Sequence, residues 1–325
     1  MHVRSFLRMR IGLLIGVMGC LVWSFAPSAE AGSGSPAESH DCNAKDESGA
    51  LTIRGYSFRV YGGEEKTCLK VFHAGKQVYR MDEEGGSFTL GRIGDASSPG
   101  GVVPGTDVTG RGHPDVLVSY FSGGAHCCFE LLLFELEPQF TLIANIGLGN
   151  SDESVFKRDV RHPEDKRYRL ETADQTFAYW HTSFAESPLT PVLLEAADDG
   201  KGGVRFRLAV DKMRKPAPTE DQWRRADLKA ARAALQPGTG FENYYAGSDL
   251  WRVMLDRIYA GQEEWAWKTV DTAWPAKKPG KDAFLKDFCG TLHLSPYWPD
   301  LQPTVTHAPQ ACVEAFSRPL KSQPR

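Results

Sequence analysis

The chain has 325 residues, with 38 Lys or Arg against 41 Asp or Glu, a formal net charge of −3 and 41% apolar residues. That length leaves room for one sizeable domain and a second, smaller one. The balanced charge removes the electrostatic basis for nucleic acid or an anionic membrane surface as partner.

At the N-terminus, Arg4, Arg8 and Arg10 precede an uncharged run from Ile11 to Trp23, followed by Pro27 and the small-residue site Ala29-Glu30-Ala31. This is the build of a secretory signal over 1–31, cleaved ahead of Gly32. Two alternatives stay open, an uncleaved anchor and lipidation at Cys20 within Val17-Met18-Gly19-Cys20. The signal holds three arginines and Glu30, a formal +2, so the remainder carries −5. No later segment is long and apolar enough to span a bilayer. A periplasmic or secreted protein is expected.

Residues 32–50 begin rich in Gly, Ser and Pro and predict a flexible leader. From 51 to 215 short β-branched and aromatic runs alternate with turn residues: Leu51–Tyr61, Cys68–Phe72, Gln77–Met81, Ser87–Ile93, Val116–Phe121, Phe129–Leu136, Phe140–Ile146, Val192–Glu195 and Val204–Val210. This spacing predicts antiparallel sheets. The pattern changes after Lys215-Pro216-Ala217-Pro218, where Thr219 and Gln222 make a capping box ahead of an Ala- and Leu-rich helix reaching Pro237-Gly238. Ser248 or Asp249 caps a second helix with Trp251, Met254, Leu255 and Ile258 on one face, ended by Gly261. Glu263–Trp274 and Lys281–Leu294 read as two more, so residues 216–325 form a helical region.

The most informative stretch lies inside the β region. Asp107, Thr109, Arg111, Gly112 and Asp115 occupy positions one, three, five, six and nine of a tight loop whose oxygen ligands can converge on a hard cation. Pro114-Asp115-Val116-Leu117-Val118 continues it as an apolar strand. The loop resembles the D-x-N-x-D-G-x-x-D segment of FG-GAP/VCBS repeats, the integrin-alpha-like propeller units. That resemblance implies a calcium site at Asp107, Thr109 and Asp115, and blade-like sheets. Arg111 puts a permanent positive charge where an acid belongs, which disfavours calcium and suggests a metal-free loop closed by an Asp–Arg interaction. A weaker echo has Asp159-Val160 and Tyr168-Arg169-Leu170, with Arg167 in place of the last carboxylate. Two or three such units are too few to close a propeller, so the fold expected is mainly β, an open stack or sandwich of blade-like antiparallel sheets, plus a small helical C-terminal domain.

The strand after the loop runs through Ser122-Gly123-Gly124-Ala125-His126-Cys127-Cys128, a phrase that resembles a signature of uncharacterised secreted bacterial proteins. Beyond the signal there are six cysteines, Cys42, Cys68, Cys127, Cys128, Cys289 and Cys312. An exported protein is expected to oxidise them, with 15 pairings available. Cys289 with Cys312 is the expected C-terminal pair. For the others, Cys42–Cys68 with a vicinal bond, crosswise bridges, and free thiols beside His126 all remain open.

Phe177-Ala178-Tyr179-Trp180-His181 offers aromatic platforms, with His126, Tyr179 and Trp180 as a candidate ligand surface; the same alternation also suits a buried strand. G-x-S-x-G, H-E-x-x-H, C-x-x-C and phosphate-loop motifs are absent from the sequence. The reading is an exported, non-catalytic binding or envelope-associated module for an unknown protein or glycan, with no cofactor. The alternatives are a thiol-dependent redox or soft-metal protein using Cys127 and Cys128, and a hydrolase built from His126, Asp115 and the aromatic segment.

Overall fold

The computed structural model describes residues 42, 44–63, 65–90, 102–125, 127–150, 155–158, 164–165 and 167–318. The signal segment, the leader up to residue 41, His126 and the Asp159-Val160 half of the echo lie outside them.

Three open four-stranded antiparallel sheets precede a helical region. The first sheet is the meander β1 (Glu47–Ile53), β2 (Tyr56–Gly62), β3 (Lys66–His73) and β4 (Lys76–Glu84). The second is β5 (Ser87–Leu90), β6 (Asp115–Gly124), β7 (Cys127–Glu135) and β8 (Thr141–Gly149). The third is β9 (Val155–Arg158), β10 (Tyr168–Asp174), β11 (Thr190–Asp198) and β12 (Val204–Leu208). Every sheet is built from consecutive strands, joined by short turns or loops except for the long connections 91–114 between β5 and β6 and 175–189 between β10 and β11.

The second sheet lies between two apolar layers. Val116, Val118, Leu132 and Phe134 pack against Phe58 and Val71 of the first sheet. Their alternating neighbours Leu117, Leu131 and Leu133 join a larger core with Leu170, Val192 and Leu194 of the third sheet and with the helices. Because successive side chains of a strand point to opposite faces, burial on both faces requires an unbroken apolar run, which is the pattern of β6 and β7.

The helical region comprises α1 (Val210–Met213), α2 (Glu220–Arg225), α3 (Asp227–Ala234), α4 (Asp249–Tyr259), α5 (Glu263–Ala273), α6 (Lys281–Leu292), α7 (Trp298–Leu301) and α8 (Gln310–Phe316). With α1 and α7 single turns, six longer helices remain among the described residues. The Thr219 capping box is present in both directions, Gln222 N–H to Thr219 Oγ1 at 3.2 Å and Thr219 N–H to Gln222 Oε1 at 2.9 Å. Trp251, Met254, Leu255 and Ile258 are all buried, as their helical spacing requires.

Several expectations need correction. The run Leu51–Tyr61 is two strands, because Arg54 and Gly55 (φ 52° and 80°) form a two-residue hairpin turn. Part of the expected flexible leader is structured, with Cys42 bonded to Cys68 and β1 beginning at Glu47. The first long helix breaks at Ala226 (φ −103°, ψ −77°), which separates α2 from α3. The segment 177–181 is a turn and not a strand.

The second disulfide, Cys289–Cys312, staples α6 to α8. Cys128 is also disulfide-bonded, with its partner outside the described side chains. These bonds point to an oxidising compartment. Among the described residues no helix is long and apolar enough to cross a membrane. Peptide mapping without reductant is expected to find Cys42, Cys68, Cys128, Cys289 and Cys312 all resistant to alkylation; a modified Cys128 would contradict this.

Candidate ligand-binding site

Among the described residues, five that are not glycine have positive φ: Arg54, Ala74, Tyr179, His181 and Glu242. Arg54 and Ala74 are explained locally, since each precedes a glycine in a two-residue hairpin turn. The other three lie on two loops that meet. One runs from β10 to β11 and holds Tyr179 (φ 59°) and His181 (φ 47°); the other runs from α3 to α4 and holds Glu242 (φ 47°). Left-handed backbone at such residues costs on the order of 1–3 kcal/mol each and persists only where the surroundings enforce it.

The enforcing contacts are visible. Asp174 opens the first loop by accepting the Thr176 N–H at 2.8 Å, and Ser187 Oγ accepts the Tyr179 N–H at 2.8 Å. The turn drives the Trp180 ring toward the helices, where it stands edge-on to Trp251 at 4.9 Å and to Tyr244 at 5.4 Å. His181 then lies flat on Tyr244, ring centroids 3.6 Å apart and planes 8° from parallel. Asp287 of α6 ties the two loops together, one carboxylate oxygen contacting His181 Nε2 at 2.9 Å and accepting the Tyr244 hydroxyl at 2.8 Å. Burial, reinforced by the Asp287 carboxylate, pushes the Tyr244 hydroxyl well above its usual range, so it remains a donor.

Around this clamp three aromatic rings reach solvent, Tyr179 (54% exposed), Phe241 (49%) and Tyr245 (37%). Tyr245 stands edge-on to Tyr244 at 5.1 Å and leans on Gly280, where an added Cβ would come within 2.3 Å of the Tyr245 ring. His181 Nδ1 and the second oxygen of Asp287 take no partner among the described residues.

The surface suggested by sequence thus separates. Tyr179 is exposed, Trp180 is a half-buried anchor packed against the core, and His126 lies outside the described residues. His181, Tyr244, Tyr245 and Asp287 meet only through folding, and the sequence singled out His181 alone of these. Trp180→Ala is expected to destabilise by about 2–3 kcal/mol, because it empties a site among packed aromatics. Tyr179→Ala is expected to stay within about 0.5 kcal/mol of the parent. Thermal melting of the two variants checks the assignment, and equal losses would sink it.

The calcium-type loop has a different chemistry from its resemblance. Asp107 Oδ1 accepts the N–H groups of Gly110 and Arg111 at 2.7 and 3.1 Å, and Oδ2 accepts that of Gly112 at 2.8 Å. Thr109 donates its hydroxyl to Asp107 Oδ1 at 3.3 Å. Asp115 Oδ2 accepts the Val108 N–H at 2.9 Å, while its Oδ1 is buried without a hydrogen-bond partner among the described residues. The Arg111 side chain does not close on Asp107 or Asp115; its guanidinium pairs with Glu135, opposite Asp115 on β7, at 3.4 Å. Calcium needs six to eight oxygen ligands, and a loop in which both Asp107 oxygens are taken by its own amides, beside a guanidinium, does not fit it. The loop instead joins sheets: the Tyr168 N–H donates to the Val108 carbonyl at 3.1 Å, and Arg167 packs over Gly110.

Comparison with protein-family models, with curated proteins and with solved structures gives no match for this chain.

Proposed function

We propose that this protein is an exported, non-catalytic binding module, periplasmic or secreted, whose ligand surface is the exposed aromatic ground around the His181–Tyr244–Asp287 clamp. The observation that carries the reading is the convergence of Tyr179, His181 and Glu242, three non-glycine residues in left-handed backbone, on one surface with three exposed rings. Strain concentrated where aromatic rings face water is what a preorganised recognition surface requires. The likeness of residues 107–118 to an FG-GAP/VCBS repeat agrees with a binding or envelope-associated role outside the cytoplasm. A thiol activity centred on Cys127 and Cys128 draws no support from Cys128, which is held in a disulfide.

The test is a titration of fluorotyrosine-labelled protein with two unbiased pools, oligosaccharides and random short peptides, each pool also followed by mass spectrometry for cleavage. Resonance shifts at Tyr179, Tyr244 and Tyr245 without cleavage are expected. Cleavage of either pool, absence of any shift, or shifts confined to other tyrosines overturns the reading.

A further inference from the structure

We infer that the cavity between the third sheet and the helical region is a second binding site, for a small zwitterion: an amino acid or short peptide whose apolar side chain enters the cavity, with its carboxylate on Lys212 and Lys215 and its ammonium on Asp256. None of the residues lining this cavity belongs to the His181–Tyr244–Asp287 clamp, so the site goes beyond the ligand surface described above.

The cavity encloses about 350 Å³. That is near the lower end of small-molecule sites, ~300–1,000 Å³, which favour boundaries between structural layers. Its walls come from β10, β11, the α1 turn with the residues after it, and the end of α4. These walls are pinned by the backbone. The Ala209 N–H donates to the Leu193 carbonyl at 2.8 Å and the Lys215 N–H to the Ala260 carbonyl at 3.2 Å, while Gln262 Nε2 donates to the Lys215 carbonyl at 2.9 Å. The segment carrying both lysines is therefore tied to the sheet at one end and to the helix at the other. Val192, Leu193, Met213 and Ala260 supply an apolar lining, in which the Leu193 N–H holds the Met213 sulfur at 3.4 Å. An apolar lining with a few placed polar groups is the usual build of a small-molecule site.

Charge selects the ligand. Of the five charged residues lining the cavity, two are spent elsewhere, Glu171 on Lys157 at 2.5 Å and Arg214 on Asp211 at 3.5 Å. Lys212, Lys215 and Asp256 close no ion pair or side-chain hydrogen bond among the described residues. The arginines beside Asp256 are occupied, Arg257 by Asp227 at 2.6 Å and Arg252 by Asp249 at 3.5 Å and the Glu186 carbonyl at 3.1 Å. Lys215 is near enough to favour the Asp256 carboxylate without pairing with it. One cavity thus presents unpaired charge of both signs. A plain anion gains the lysines and meets Asp256; a plain cation gains Asp256 and meets two lysines. A molecule holding a carboxylate and an ammonium on neighbouring atoms satisfies both, through charge-assisted hydrogen bonds roughly twice as strong as neutral ones. The apolar lining then takes its side chain.

The experiment is calorimetry of the disulfide-intact protein at neutral pH with leucine, leucylleucine, N-acetylleucine, which keeps only the negative charge, and leucine methyl ester, which keeps only the positive one. Saturable binding of leucine or leucylleucine is expected, with both single-charge analogues at least about tenfold weaker, and the tighter zwitterion separates a free amino acid from a peptide as the source. Asp256→Asn is expected to weaken the zwitterion about tenfold and close its gap to N-acetylleucine; Lys212→Met combined with Lys215→Met should weaken it as much and close its gap to the methyl ester. All three positions are exposed, and melting curves confirm that the variants fold. Lack of binding by both zwitterions in the millimolar range overturns the inference. So does N-acetylleucine or the methyl ester binding the parent as tightly as leucine, which would make the cavity a plain anion or cation site, and so does zwitterion binding indifferent to Asp256 and the two lysines.

Discussion

Asp174→Ala is expected to lower the unfolding free energy by about 3–5 kcal/mol, the largest loss from any single truncation considered for this chain. Asp174 ends β10 and is buried, yet it is crowded with donors. Its Oδ1 accepts the Thr176 N–H at 2.8 Å and the Thr176 hydroxyl at 2.5 Å. Its Oδ2 accepts the Ser295 hydroxyl at 2.6 Å and the hydroxyl of Tyr259, the last residue of α4. One carboxylate therefore fastens the third sheet to α4 and to the turn after α6. Burial, with the Asp174 charge beside it, pushes the Tyr259 hydroxyl far above its usual range, so it is a permanent donor. Alanine removes the acceptor and leaves buried hydroxyls unpaired. Asp174→Asn restores the shape and one acceptor and should lose only about half as much; Tyr259→Phe, which removes a single donor, about 1–2 kcal/mol. Urea unfolding of the three variants checks the ranking, and an alanine variant no weaker than Tyr259→Phe would show that the network contributes little. The same carboxylate opens the turn that presents Tyr179, so the alanine variant is also expected to blunt ligand binding.

The limits of the sequence reading follow from the physics of each segment. The apolar runs of β6 and β7 were legible because a strand buried on both faces has no polar alternation to hide it. The four-residue β9 was not, being short and half charged, and β10 was obscured by Arg169, a buried arginine paired with Asp165 at 2.6 Å. The segment 177–181 misled because alternation of Phe177, Tyr179 and His181 imitates a strand, while the decisive signal was the turn chemistry of Asp174 and Thr176 just before it. Tyr179 in left-handed backbone carries no residue-type signal, and His181 carries only the weak preference of histidine for that region. The clamp itself joins His181 to Asp287 across 106 residues, and long-range meetings of this kind leave no local trace. Gly280 was the one accessible hint, a glycine whose need becomes clear only when the Tyr245 ring is seen against it.

Asp115 is expected to make the folded protein lose stability as pH rises toward and past neutrality, by about 4 kcal/mol in all. Its carboxyl is 1% exposed, and loss of solvent, with the charges of Asp107 and Glu135 added, pushes its pKa up to about 7 against the opposing hydrogen bonds from Val108 and Thr109. In the unfolded chain the same group titrates near 3.9. Below about pH 4 both states hold the proton and the group contributes no pH dependence. Between there and about pH 7 the unfolded chain has released its proton while the folded one keeps it, so each pH unit costs about 1.4 kcal/mol, and the loss is complete above the folded value. Asp165 acts with the opposite sign, since the hydrogen bond from Arg167, with Arg169 beside it, holds its carboxyl below the usual range. The comparison that isolates Asp115 is therefore with Asp115→Asn, whose carbonyl can still accept the Val108 N–H. The variant should match the parent near pH 4 and exceed its stability at pH 8. If urea midpoints of the two proteins differ by the same amount at every pH, the buried carboxyl is not the proton that matters. If the difference opens with pH, the Asp107 loop is sustained by a proton in the region where its resemblance implies a metal ion.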